Sequence, residues 1–334
     1  MALSDLELNS GTKMPIFGLG TWQSRDESAE AAIDCALENG YRLIDTAYVY
    51  GNEALVGKVL KKHFDSGKLK REDIFITTKL PNTANRPESV EKYLKKELAS
   101  LGLDYVDLYL VHMPVGLVEL SEDDLLPTDK ETGMALFDPD SDHVKLWKAM
   151  EEQFEAGRAK AIGVSNFNIQ QLQRILDNCK IPPANNQVEI HAYLQQPELV
   201  KFCADNKITV TSYATLGSPG RVDFHEALGL PKAEIPDLME NPVVVEIAEK
   251  HSKSPAQILL RFIMQSGIAV IPKSVTPARI KSNSEVFDFE LSADEMASMK
   301  ALDKGPKARG FTMVDIFKGI VDHPEFPFHD TLKA

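Results

Sequence analysis

Two periodicities take turns along this chain. Ala29, Ala32, Ile33, Ala36 and Leu37 recur at helical spacing and are followed by Gly40 as a C′ residue. Val90, Tyr93, Leu94, Leu98 and Leu101 repeat the stripe before Gly102, and Trp147, Met150 and Phe154 repeat it before Gly157. Between the stripes lie short apolar runs rich in β-branched and aromatic residues, which read as buried strands. They are Phe17 to Leu19, Tyr41 to Asp45, Ile74 to Lys79, Val106 to His112, Lys160 to Val164, Asn186 to Ile190, Ile208 to Tyr213 and Ile268 to Ile271. Repeated βα units predict parallel strands, because each crossover needs a covering helix. A doubly wound sheet and a (β/α)8 barrel both fit that alternation; a count of eight favours the barrel.

Most of these runs end on a polar residue. The second, third and fourth finish on Asp45, Lys79 and His112, and Tyr50 follows in the loop after Asp45. The fifth stops at Ser165-Asn166, the sixth carries Gln187, the seventh stops at Tyr213 and the eighth leads to Lys273-Ser274. Buried strands that end on charges place costly groups around one space. In a barrel that space is the C-terminal face, where catalytic groups from several strands converge.

Three segments lie outside the repeat. Leu6-Glu7-Leu8 and Lys13 to Ile16 predict a hairpin, joined through Asn9 to Thr12, that plugs the barrel bottom. Met113 to Asp142 and Ala214 to Glu240 are long insertions of the kind that form lids or binding walls. The tail from Lys304 to Ala334 lacks periodicity and is expected to pack over the barrel face. No linker separates two domains. One domain is expected, with the hairpin at about 5–16, the barrel at about 17–303 and the C-terminal loop at about 304–334.

Composition narrows the functional classes. Apolar content of 43% and charged content of 26% are ordinary for a soluble protein. No apolar run is long enough to span a bilayer, and Met1 to Gly11 has no leader-like apolar core. Cys35, Cys179 and Cys203 are isolated, which suits a reducing cytoplasm. A net charge of −13 argues against nucleic acid or an anionic membrane as partner. A polyanionic small molecule would need a local basic site, and Lys273, Arg279 and Lys281 offer one.

Asp, Tyr, Lys and His gathered at strand ends can move a proton and a hydride. A phenol with a pKa near 10 is a reluctant acid. A lysine ammonium about 4 Å away, at an effective dielectric of about 20, would favour the phenolate by roughly 4 kcal/mol, or about three pK units. Lys79 is therefore expected to bring Tyr50 into the range of a general acid, with Asp45 holding Lys79 and His112 orienting a carbonyl. At the eighth strand, Thr276 at an N-cap and Pro277 at N1 predict a short helix whose N-terminus attracts phosphate. Lys273 and Arg279 beside it favour a 2′-phosphate, hence NADPH over NADH. There is no GxSxG elbow, HExxH, P-loop or EF-hand loop, and no metal is expected. Gly18-Leu19-Gly20 begins like a dinucleotide fingerprint, but Gln23 stands where the third glycine should be.

Seven motifs resemble the aldo-keto reductase superfamily. They are Gly18-Leu19-Gly20-Thr21-Trp22, Asp45 through Glu53, Lys79, Leu110-Val111-His112, Gly163-Val164-Ser165-Asn166-Phe167, Gln187-Val188-Glu189 and Ile271-Pro272-Lys273-Ser274. The resemblance implies a (β/α)8 barrel that reduces aldehydes or ketones with NADPH. It implies a tetrad of Asp45, Tyr50, Lys79 and His112, with Tyr50 as proton donor. Ser165, Asn166 and Gln187 would hold the nicotinamide carboxamide, and Tyr213 would stack on its ring. Gly20, Thr21 and Trp22 would lie near the cofactor, and Leu216 and Ser218 would contact its pyrophosphate. Lys273, Ser274, Val275, Thr276, Arg279 and Asn283 would meet the adenosine and its 2′-phosphate.

The chain departs from the aldose-reducing pattern at several positions. Gln23 and Gly220 replace a Lys and an Asp that bridge over the pyrophosphate, which predicts faster cofactor release. Ser282 replaces an adenine-contacting Glu. Trp22, Tyr50, His112, Met113 and Phe224 are expected to line the substrate pocket. Pro81 and Met113 stand where Trp occurs in those relatives, and Val115, Leu117 and Val118 follow. This predicts an aliphatic, adaptable pocket for an apolar carbonyl compound, a ketosteroid or long-chain aldehyde rather than a sugar. The expected protein is a cytoplasmic monomer acting on a small carbonyl substrate. The alternative is an NADPH-binding barrel with a regulatory or structural role and little turnover.

Overall fold

A computed structural model describes residues 5–333. Residues 1–4 and 334 lie outside the described residues. Antiparallel pairing joins β1 (Leu6–Glu7) to β2 (Lys13–Met14). Eight parallel strands follow: β3 (Leu19–Gly20), β4 (Leu43–Asp45), β5 (Phe75–Leu80), β6 (Leu108–Val111), β7 (Ile162–Ser165), β8 (Asn185–Glu189), β9 (Thr209–Tyr213) and β10 (Ala269–Val270). Each pairs with the next in chain order. The ring closes where Phe17 bridges Val270: Gly18 N donates to Val270 O and Val270 N to Ile16 O, both at 2.9 Å. The (β/α)8 barrel is therefore correct and the open sheet is not. The first barrel strand begins two residues later than its apolar pattern suggests, because Phe17 makes only an isolated bridge.

Strand alternation sorts the core into two layers. Leu43, Phe75, Leu108, Leu110, Ala161, Ala184 and Ala269 point into the barrel, where Leu8 and Met14 of the hairpin pack against them. The hairpin is thus the expected bottom plug, and Asn9 Nδ2 ties it to Pro183 O at 2.8 Å. Space is tight there: a Cβ at Gly18 would lie 2.5 Å from the Leu43 side chain. Ile44, Ile76, Tyr109, Val111, Ile162, Val164, Val188 and Val210 point outward to the helical layer.

Local signals start and stop the helices. Pro87, Pro197, Pro242, Pro255 and Pro277 each open one in the first turn, where a missing N–H costs nothing. Gly40, Gly102 and Gly157 follow helix ends with φ of 85°, 65° and 73°. No helix among the described residues is long and apolar enough to cross a membrane.

The insertion after β6 and the tail make a third apolar layer over the barrel face. Met113, Val115, Leu117 and Ala135 pack with Phe317, Ile320, Phe326 and Phe328. The tail thus packs over the barrel as expected. The insertion after β9 contains a short helix, Arg221–Ala227, where a loop was expected.

Candidate active site

Inward alternation carries the chemistry to the barrel mouth. Asp45 continues the inward series after Leu43, Lys79 after Phe75 and Thr77, and His112 after Leu108 and Leu110. Tyr50 ends a turn of 3-10 helix, Tyr48–Tyr50, that returns it over β4. Lys79 is fully buried, and its ammonium has three acceptors for three protons. It donates to Asp45 Oδ1 at 2.6 Å, Thr46 O at 2.9 Å and Tyr50 Oη at 3.5 Å. The other Asp45 oxygen accepts from Gln187 Nε2 at 2.8 Å. The rings of Tyr50 and His112 meet edge-on at 5.7 Å. All four tetrad candidates are therefore in one cluster.

The electrostatics correct one expectation. Burial, reinforced by Asp45, pushes the Tyr50 phenol well above its ordinary range rather than below it. The lysine charge is largely spent on Asp45, its nearest partner, so Tyr50 is fully protonated. Burial likewise lowers Lys79, with Asp45 opposing. Burial and the Lys79 charge hold His112 well below its ordinary value, so its imidazole is neutral. The site holds a loaded phenol, a neutral imidazole donor and one compensated ion pair.

Behind Lys79, outside the barrel, lies an acid pair that sequence reasoning missed. Glu53 and Glu97 are both buried beneath Thr78, whose hydroxyl donates to Glu53 Oε1 at 2.6 Å and lies 3.3 Å from Glu97 Oε1. Burial raises Glu53 to about 7 and Glu97 well above the carboxylate range. Glu53 was within reach, since it starts a helix straight after the Tyr50 loop; Glu97 sits in an unremarkable helical pattern.

Ser165, Asn166 and Gln187 lie together beside the tetrad. Ser165 Oγ donates to Gln187 O at 2.8 Å, and Asn166 Nδ2 donates to His112 O at 3.0 Å. Tyr213 Oη donates to Asn166 Oδ1 at 2.6 Å, fixing the ring at the mouth. Thr21 Oγ1 donates to Asp45 O at 2.9 Å, which places Gly20, Thr21 and Trp22 at the rim. The backbone beyond β9 turns through positive φ at Ala214, Gly217 and Ser218, with half-buried Leu216 between them. Such strain in non-glycine residues concentrates at ligand sites.

The residues after β10 fit an adenosine phosphate. Among the described residues neither Lys273 nor Arg279 forms an ion pair, in a chain of net charge −13. Asn283 is 5% exposed and its amide has no hydrogen-bond partner among them. The helix Pro277–Ser284 begins here, with Val275 and Thr276 exposed at its start. Thr276 occupies the N-cap without the side-chain bond its type suggests. Ser274 Oγ instead accepts from Thr276 N at 3.1 Å.

The Aldo/keto reductase family model matches residues 14–304. Aldo-keto reductase family 1 member A1 of Mus musculus is 43% identical over 335 residues, 99% of either chain. Rho crystallin of Rana temporaria is 40% identical over 332 residues, 97% of this chain and 96% of that one. An aldose reductase structure from Schistosoma japonicum superposes with a TM-score of 0.87 at 43% identity, covering 98% of this chain and 99% of that one. The chain belongs to the aldo/keto reductase family. Membership brings NADPH/NADP+ as cofactor and carbonyl reduction as reaction class.

The pocket of this reductase differs from the aliphatic one expected. Met113 is 3% exposed, and Val115 and Leu117 are 1% exposed, because the tail folds over them. The open wall is aromatic. Trp22 meets Phe224 at 5.2 Å and Phe311 at 5.5 Å, and Phe311 meets Tyr213 at 5.3 Å. Phe311 was missed in the sequence; its one signal is an aromatic after a glycine in a tail without periodicity. Gln23 and Gly220 do face each other, since a Cβ at 220 would lie 2.7 Å from Gln23 Oε1.

Proposed function

We propose that this reductase converts apolar aldehydes or ketones to alcohols with Tyr50 as proton donor. The observation that carries this reading is the three-acceptor shell of Lys79, which joins Asp45 to Tyr50 in one buried line. Lys273, Ser274, Arg279 and Asn283 would hold the adenosine end of NADPH, Leu216 and Ser218 its pyrophosphate, and Ser165, Asn166, Gln187 and Tyr213 its nicotinamide. The cofactor supplies the hydride. The substrate oxygen accepts hydrogen bonds from Tyr50 Oη and the neutral His112 imidazole, and as charge builds on it the phenol proton crosses to it. The phenolate left behind is stabilised by Lys79, whose 3.5 Å contact strengthens as that charge develops. A raised phenol pKa suits this order of events, because the proton is present until the oxygen becomes basic.

The aromatic wall of Trp22, Phe224 and Phe311 supports an apolar substrate, a ketosteroid or long-chain aldehyde, over a sugar. Three free thiols support a cytoplasmic setting. Tyr50→Phe should abolish turnover by about two to four orders of magnitude while keeping NADPH binding. Following NADPH absorbance with a panel of hexoses, aldehydes and ketones tests both halves. A wild type that prefers the hexose rejects the apolar pocket. One that binds NADPH yet reduces nothing supports a structural role such as the name Rho crystallin carries.

A further inference from the structure

We propose that Glu189 is a positioning residue that latches the C-terminal tail over the barrel mouth and thereby sets which carbonyl compounds fit. This rests on the reductase reading for its consequence, though not for its geometry. Glu189 ends β8 one inward step beyond Gln187 and is 2% exposed. Its carboxylate accepts the Gly310 amide at 2.9 Å and 3.1 Å on its two oxygens and the Phe311 amide at 2.8 Å. His191 Nε2 lies 3.3 Å from the same group, and its Nδ1 accepts from Tyr193 N, so the proton is on Nε2 and points at the carboxylate. Burial opposes the charge, but these donors hold Glu189 below its ordinary value. The backbone repeats the link: Gln196 Nε2 donates to Glu189 O at 2.7 Å, and Arg309 Nη2 donates to Gln196 Oε1 at 3.3 Å.

The latch fixes one side chain at the pocket. Phe311 follows the glycine whose missing Cβ makes room for the Arg221 guanidinium, and Arg221 sits 5.1 Å over the Phe311 ring. Held by its own amide, Phe311 stands between Trp22 and Tyr213. Beyond Met313 the tail is anchored separately, through Phe317, Ile320, Phe326 and Phe328 against the insertion after β6. Removing the carboxylate therefore frees the short stretch that carries Phe311 and leaves the rest of the tail docked.

Hydrogen exchange and steady-state kinetics on Glu189→Ala, Glu189→Gln and Phe311→Ala test this, with benzaldehyde and a ketosteroid as the two carbonyls. In Glu189→Ala, exchange in peptides spanning residues 309–312 should quicken about ten-fold or more, for two lost carboxylate–amide bonds, while barrel peptides keep their protection. KM for benzaldehyde should rise about ten-fold and kcat less, with KM for the ketosteroid unchanged or lower. Glu189→Gln, which still offers one acceptor oxygen, should fall between wild type and Ala. Phe311→Ala should reproduce the change in selectivity with the amides still protected. Unchanged exchange at 309–312 in both Glu189 variants overturns the latch. So does a Glu189→Ala loss equal for both substrates, or a Phe311→Ala enzyme with wild-type selectivity. A wild type that reduces neither carbonyl refutes the reductase reading instead, and the exchange result still decides the latch.

Discussion

Gln187 Nε2 donates to Asp45 Oδ2 over 2.8 Å, fastening the carboxylate of β4 to the far side of the barrel. Asp45 therefore has a partner for each oxygen, Lys79 for one and Gln187 for the other. A carboxylate so held would stay in place while Lys79 turned toward the phenolate that the proposed proton transfer forms. The tetrad is preorganised across the barrel rather than along one strand.

The Asp45–Lys79 pair sits at 4% and 0% side-chain exposure, so its members must be removed together. Lys79→Met alone strands a buried carboxylate and should destabilise the fold by about 3–5 kcal/mol. Adding Asp45→Asn should return most of that stability and none of the turnover. Denaturant unfolding of the three variants checks this, and a Lys79→Met protein as stable as wild type would contradict it.

Glu53 predicts the pH dependence of stability. Its folded pKa of about 7 stands above the ordinary glutamate value of 4.5, so the folded state holds its proton longer than the unfolded chain does. The stability contribution is then fully present below about 4.5, declines as pH rises, and is lost above about 7. Glu53→Gln keeps an acceptor for Thr78 and removes the ionisation. It should exceed wild type at pH 8 by about 3 kcal/mol at most and lose that advantage near pH 4.5. Thermal unfolding at the two pH values measures the difference, and an equal gain at both would refute it.

Among the described residues Arg279 has no ion pair to lose, so its removal tests the proposed 2′-phosphate contact directly. Arg279→Ala should weaken NADPH about ten- to a hundred-fold, the range for one charge-assisted bond, and leave NADH nearly unchanged. Titrating protein fluorescence with each nucleotide gives both constants. Equal loss for both nucleotides would remove the 2′-phosphate assignment.

What was legible in the sequence follows from strand alternation. Once Leu43, Phe75 and Leu108 face inward, Asp45, Lys79 and His112 must do so too, and the mouth assembles without any long-range knowledge. The apolar pocket residues were placed wrongly for the opposite reason. Met113, Val115 and Leu117 look like a wall until Phe317 and Phe328 cover them, and those lie some two hundred positions away in a segment with no periodicity. Glu189 was visible within a motif, but its partners are 121 and 122 positions away. The Tyr50 shift runs in the opposite direction to the one expected, because burial of the phenol and neutralisation of Lys79 by Asp45 outweigh the attraction of the lysine charge.

The meeting of Gln23 and Gly220 makes cofactor release a matter of one missing charge pair. Gly220 has φ of −62°, which an aspartate adopts without strain, and the atom nearest its Cβ is the movable end of Gln23. The positive φ of Gln23, 58°, is no worse for lysine than for glutamine. Gln23→Lys with Gly220→Asp should therefore form an exposed ion pair over the nucleotide. Such a pair is worth about 0.2–1 kcal/mol, which slows NADPH dissociation about 1.4- to five-fold. Stopped-flow fluorescence on the double variant and each single variant reads this rate. Only the double should slow, because either charge alone has no partner; a double variant as fast as wild type would mean that the belt positions do not gate release.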